Sequence, residues 1–197
     1  LSYNYDFMIY IDDDFLDPDT LGSVVDYLTT NEFRKVAAGE KDFWCQMSND
    51  DFDSYVLSKL EIKEQKDLRN VFSFFRVSND ELDTDWRIHA DTIIMGEKPE
   101  RAIVLYLSDS YSDDLHGTAF WEHIDMGDTQ PLDVTDDEFD EILLRDSNNL
   151  DKWSLNSVVG YKPNRLVSYP CNYFHSKYPN KSWKEGRVVF VMFYTAK

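Results

Sequence analysis

The sequence predicts an α+β domain, with helices over about residues 1–70 and then a meander of strands that closes into a sandwich or barrel. Three observations carry this. Two stretches with helical spacing and capping signals precede residue 70. From Val71 onward the chain becomes a series of short β-branched and aromatic runs separated by turn residues. A chain of 197 residues that is 42% hydrophobic and 15% aromatic can bury one substantial core without staples, so a single domain over 1–197 is expected.

The elements follow in order. Phe7 to Ile11 is an apolar run that reads as a strand. Asp17-Pro18 supplies an N-cap and a first-turn proline, and Leu21, Val24, Val25 and Leu28 follow at helical spacing. A second helix is expected over about 50–60, capped by Ser48 or Asn49, with Phe52, Tyr55, Val56 and Leu60 behind it. The runs VFSFFRV, WRIHADT, RAIVLYLS, GTAFWEHI, NRLVSYP and GRVVFVMFY then read as strands. One segment breaks the series. Residues 133–151 hold eight acids and one base, and Thr135 to Glu138 forms a capping-box pattern before Phe139, Ile142 and Leu143. A short helix is expected there, either as a lid over a site or as a solvated surface excursion.

The net charge of −18 disfavours a nucleic acid or an anionic membrane as partner, since both would repel the chain. No apolar run approaches the roughly 20 residues of a membrane span. The opening LSYNYDFMIYIDDDF lacks the layout of a signal peptide, and Leu at position 1 leaves a trimmed leader open. Cys45 and Cys171 are too few for a disulfide scaffold and lie in no metal-ligand spacing, so free thiols in a cytoplasmic setting are expected. The charge is uneven: residues 160–197 carry a net +6 and the remainder −24. The run Asp12-Asp13-Asp14 lacks the rest of a calcium loop and reads as a solvated turn.

The chemistry centres on His89-Ala90-Asp91. Side chains at i and i+2 of a strand point to one face, so imidazole and carboxylate converge. Two histidines and one carboxylate with open positions form the facial triad of non-haem Fe(II) sites, and His175 in NYFHSKYP is the natural second histidine. Twelve residues later Arg187 opens an otherwise apolar strand, where a guanidinium calls for an anionic partner. A competing pair, His123 and Asp125, leaves too few strands before His175, and reads as a strand end facing solvent or a substrate-side contact.

This order of HxD, distal His and Arg resembles the Fe(II)/2-oxoglutarate-dependent dioxygenases, in particular the prolyl-4-hydroxylase-like branch, over about residues 71–194. The resemblance implies a double-stranded β-helix (a distorted jelly roll) preceded by supporting helices. It implies iron held by His89, Asp91 and His175, and 2-oxoglutarate held at its distal carboxylate by Arg187 and Tyr106. Gly117-Thr118-Ala119-Phe120 is similar to a glycine-rich strand motif of that family, with His116 in place of its first glycine. The implied reaction is hydroxylation of an unactivated C–H bond in a peptidyl residue or small metabolite. It consumes O2 and releases succinate and CO2, and ascorbate is compatible as reductant. Trp86, Trp121 and Thr118 are the substrate-pocket candidates, with Trp153 a further aromatic. Lys177, Lys181 and Lys184 flank His175 and Arg187 and are expected to favour a dianion there. The alternative is a non-catalytic jelly-roll binding module.

Overall fold

The computed structural model describes residues 8–38, 41–79, 81, 86–108, 116–131, 134–179 and 186–197. Strand β1 spans Tyr10–Asp12, and Phe7 of the expected strand lies outside the described residues. Helix α1 (Pro18–Thr30) starts where Asp17 accepts the Thr20 N–H, and α2 (Asp50–Glu64) where Asn49 accepts the Phe52 N–H. Between them lies a hairpin of β2 (Arg34–Ala38) and β3 (Lys41–Met47) that the sequence reading did not place. β2 mixes charges with small residues, and in β3 Trp44 interrupts the alternation of Phe43, Cys45 and Met47 with polar neighbours. Then come β4 (Leu68–Ser78), β5 (Arg101–Tyr106), β6 (Gly117–His123), α3 (Asp136–Asp146), a single 3-10 turn at Leu150–Lys152, β7 (Trp153–Gly160), β8 (Leu166–Pro170), β9 (His175–Tyr178) and β10 (Arg187–Ala196).

The strands form two antiparallel sheets. The large one has the order β1-β8-β5-β10-β4-β3-β2, and the small one β7-β6-β9. Period-2 alternation sorts the central strands between two cores. On β5, Ile103 and Leu105 pack with Val24, Phe52, Val56 and Leu60 of the helices, as do Phe75, Phe190 and Met192 of neighbouring strands. The alternate residues Ala102, Val104 and Tyr106 pack instead with Phe120, Val159, Val167, Tyr169 and Val189, between the two sheets. The helices therefore lie on one side of the large sheet and the small sheet on the other. Because Val189 points between the sheets, Arg187, two residues earlier on the same strand, does so too.

Helix α3 forms a fourth layer. Its capping box is made at both hydrogen bonds, and Phe139 packs with Ala119, Trp121, Trp153 and Phe174 on the outer face of the small sheet. The 133–151 segment thus packs its helix behind the small sheet and is not a lid. The expectation for His123 also needs correction: it is 1% exposed, with Nε2 3.2 Å from Asp146 and its ring edge-on to Trp153. A half-apolar imidazole closes this interface because a buried carboxylate waits for it, whereas Asp125 is exposed. Cys171 is a buried free thiol. The Asp13 carboxylate is held by Arg165 and Lys162, which fixes the acidic turn without a cation.

Gly117 opens β6 because nothing larger fits. A Cβ built there would lie 1.9 Å from the Val159 carbonyl oxygen on β7. Gly117→Ala is expected to spread β6 from β7 and destabilise the fold by at least about 1–3 kcal/mol, as overpacking does. Thermal denaturation reads this, and an unchanged midpoint would contradict it.

Candidate metal centre

The segment before β5 meets β9 at a single two-way bridge. The His89 N–H donates to the His175 carbonyl at 3.0 Å, and the His175 N–H donates to the His89 carbonyl at 2.8 Å. Residues paired this way stand directly opposite and project to one side. Their ring centroids are 4.4 Å apart. Asp91 comes to the same place, its N–H held by the Cys171 carbonyl at 2.8 Å. The Asp91 carboxylate lies 3.3 Å from His175 Nε2 and 3.8 Å from His89 Nε2. One ligand atom from each of the three residues lies within 4.8 Å of the other two. WRIHADT, expected as a strand, contributes this isolated bridge and otherwise has no regular pairing.

The local backbone also sets the tautomers. His89 Nδ1 lies 3.1 Å from the Arg87 carbonyl oxygen and His175 Nδ1 lies 2.9 Å from that of Tyr173. A carbonyl can only accept, so each Nδ1 carries a proton, which leaves each Nε2 as the ring nitrogen turned toward Asp91 and available to a metal. Such carbonyl anchoring is how metal-ligating histidines are held. Burial, together with the neighbouring His175, pushes the His89 imidazolium pKa down to about 3. Burial opposes the charge on Asp91, but His175, His89 and Arg76 outweigh it and hold that carboxyl below its usual range. Two imidazole Nε2 atoms beside an ionised carboxylate are a donor set that suits a divalent iron, with open positions left over.

The same electrostatics give a pH dependence. With the folded pKa of His89 near 3 and its ordinary value 6.5, the unfolded chain binds more protons between those limits. Metal-free protein is therefore expected to lose stability as pH falls from about 6.5 towards 3. Denaturation midpoints at several pH values measure this, and His89→Phe should flatten that part of the slope.

Arg187 lies buried at the start of β10. Its Nη2 donates to Thr118 Oγ1 at 3.2 Å, and the Tyr106 hydroxyl shares Thr118 Oγ1 at 2.8 Å. Its guanidinium carbon is 5.3 Å from the Tyr106 ring centroid, and Tyr161 stacks on Tyr106 at 4.5 Å. Burial lowers the Arg187 pKa, while the two tyrosines work against that shift. The result is a cation with hydroxyl donors at one end of the inter-sheet core. The buried Tyr169 has its ring 4.7 Å from that of His175, and its hydroxyl feels the charges of both Asp91 and Arg187.

The model of a family of unknown function, DUF6445, matches residues 7–184. The chain belongs to DUF6445. No curated protein matches it significantly. Solved structures do resemble the DUF6445 chain. The non-haem α-ketoglutarate-dependent carbocyclase SnoK from nogalamycin biosynthesis has a TM-score of 0.64 at 15% identity, covering 97% of this chain and 80% of that one. A Pseudomonas putida prolyl-4-hydroxylase has a TM-score of 0.57 at 12% identity, covering 96% and 92%. HygX from Streptomyces hygroscopicus, with nickel, 2-oxoglutarate and hygromycin B bound, has a TM-score of 0.57 at 11% identity, covering 96% and 83%. The chain thus shares the fold of these three solved proteins.

Within the DUF6445 chain the remaining candidates are distributed as follows. Thr118 sits between Tyr106 and Arg187, so it belongs to the cation's cradle. Trp121 is corrected: it points to the outer face, where its Nε1 donates to Ser176 Oγ at 2.9 Å and its ring packs with Phe139 and Trp153. An odd position on β6 is separated from Thr118 and Phe120 by the pleat. Trp153 lies in the same outer cluster, and Trp86 is half-buried just before the His89 segment. Lys177 is on β9, while Lys181 and Lys184 lie outside the described residues. Sequence reasoning missed Tyr161, which stacks on Tyr106, and Arg76 and Arg87, whose charges reach Asp91. An arginine inside the alternating run VFSFFRV was the available signal for Arg76.

The DUF6445 helices include none long and apolar enough to cross a membrane, among the described residues.

Proposed function

We propose that this protein is an Fe(II)- and 2-oxoglutarate-dependent dioxygenase that hydroxylates an unactivated C–H bond of a small metabolite or a peptidyl residue. The two facing sheets are then the halves of a double-stranded β-helix. The observation that carries this is the convergence of two imidazole Nε2 atoms and one carboxylate, with a buried Arg187–Thr118–Tyr106 group in the same inter-sheet space. The overall reaction balances as substrate C–H, O2 and 2-oxoglutarate giving C–OH, succinate and CO2.

The iron, when bound, supplies oxygen activation. The chain's own residues do the rest. His89, Asp91 and His175 would hold the metal from one side and keep its other positions open. The carbonyls of Arg87 and Tyr173 hold the two Nδ1 atoms and so aim both Nε2 atoms at the metal position. Arg187 would take the distal carboxylate of 2-oxoglutarate, and Tyr106 and Thr118 would add hydrogen bonds to it. Tyr169, Phe120 and Val104 keep the space between the sheets dry, which strengthens every charge interaction within it. Ascorbate suits such a centre as external reductant. The buried free thiol at Cys171 favours a cytoplasmic setting.

The test is anaerobic addition of Fe(II) and 2-oxoglutarate to the wild-type protein, followed by admission of air. A visible charge-transfer band and then succinate are expected. A protein that gives neither is a jelly-roll module without this chemistry.

A further inference from the structure

The large sheet is wider than the small one, and the overhang lies beside the metal centre. Register sets Arg76 of β4 opposite Val189 of β10 on one side and Cys45 of β3 on the other. It likewise sets Met47 opposite Phe74, and Val36 of β2 opposite Phe43. Directly opposed residues share a face, and Val189 and Phe74 belong to the core between the sheets. Arg76, Phe43, Met47 and Val36 therefore all face the side on which the small sheet and the triad stand. Yet, among the described side chains, none of β2 or β3 enters any of the three core clusters. Val36 is 48% and Met47 56% exposed. Among the described residues this is an open apolar shelf continuing from the inter-sheet space.

Arg76 stands at the step between core and shelf. Its guanidinium lies 4.5 Å from the Phe43 ring centroid, on the shelf side. On the other side its charge reaches both Asp91 and Arg187. Arg187 pairs with Ser78, the next residue on the same face of β4, so the two arginines are diagonal neighbours. A planar cationic fork between an apolar surface and a metal centre selects a carboxylate with an apolar body. The acidic remainder of the chain makes such a local cation more selective, since anions are repelled elsewhere.

We propose that Arg76 and the Phe43–Val36–Met47 face of the hairpin form the substrate-recognition surface of this centre, and that the substrate is an organic acid with an apolar body. Arg76 takes the carboxylate, and the body lies on the shelf. The inference rests on the proposed oxygenase reading for the fate of the bound acid, and on the shelf alone for its binding.

The experiment uses 4-phenylbutanoate and its neutral amide as probes. Binding is followed by ligand-observed NMR in metal-free protein, and again with Ni(II) and saturating 2-oxoglutarate. The acid is expected to bind at least about tenfold more tightly than the amide. Arg76→Gln should erase that preference, Arg76→Lys should keep part of it, and Phe43→Ala should weaken both probes alike. Arg187→Gln should leave the preference in place. In wild type the acid's affinity should fall with added salt while the amide's does not, which holds even if Arg76→Gln fails to fold. The proposal is overturned if acid and amide bind equally or not at all, or if Arg187→Gln rather than Arg76→Gln removes the preference. A retained preference in a protein that binds neither iron nor 2-oxoglutarate would overturn the oxygenase reading and leave the acid site standing.

Discussion

On the proposed reading, His89→Ala is expected to abolish the Fe(II)·2-oxoglutarate absorption band while the protein still folds. His89 is the ligand to replace because its side chain is 27% exposed, against 7% for His175. The paired N–H and carbonyl that bridge it to His175 belong to the backbone and survive the substitution. Losing an outer partner of a metal ligand typically costs about 10–100-fold in affinity, so losing a ligand should cost more than about 100-fold. Iron titration with circular dichroism as the folding control measures both halves of the expectation. An unchanged band in folded His89→Ala would remove this residue from the centre.

On the same reading, Arg187→Ala is expected to weaken 2-oxoglutarate binding by about tenfold to a hundredfold, the loss of one charge-assisted contact of roughly 1.5–3 kcal/mol. The effect should appear in KM for 2-oxoglutarate, with kcat largely recovered at saturation, because the distal carboxylate is bound equally before and during the reaction. Arg187→Lys should recover only part of the affinity, since a point charge cannot replace a fork directed at Thr118 and its neighbours. Titrating the visible band with 2-oxoglutarate gives the constants. Equal constants for wild type and Arg187→Ala would assign the buried cation to the fold instead.

Local signals in the chain were legible. Asp17-Pro18, Asn49 and Thr135-to-Glu138 each cap the helix that the residue chemistry implies. The apolar runs RAIVLYLS and GRVVFVMFY became central strands buried on both faces because their composition suits nothing else. The i, i+2 spacing of His89 and Asp91 and the order of His175 and Arg187 were equally visible. Less legible were features that depend on a partner from elsewhere. The β2–β3 hairpin has no strong periodicity, and its pairing with β4 defines it. His123 looked like a surface residue because Asp146, which buries it, lies on a helix 23 residues away. Trp121 looked like a pocket residue because alternation on β6 fixes two faces without saying which one is inside.

The sequence by itself determined the helix starts, the strand-rich second part and the residue types able to hold a metal, since caps, periodicity and side-chain chemistry act within a few residues. Only the tertiary structure decided which of those residues meet. The His89–His175 bridge, the Thr118 link between Tyr106 and Arg187, and the placing of Arg76 beside the centre join positions 12 to 86 residues apart, and 111 for Arg76 and Arg187, through sheet pairing and the stacking of two sheets. Register and layer order arise from burying the whole apolar surface at once, and no local stretch of chain contains that information.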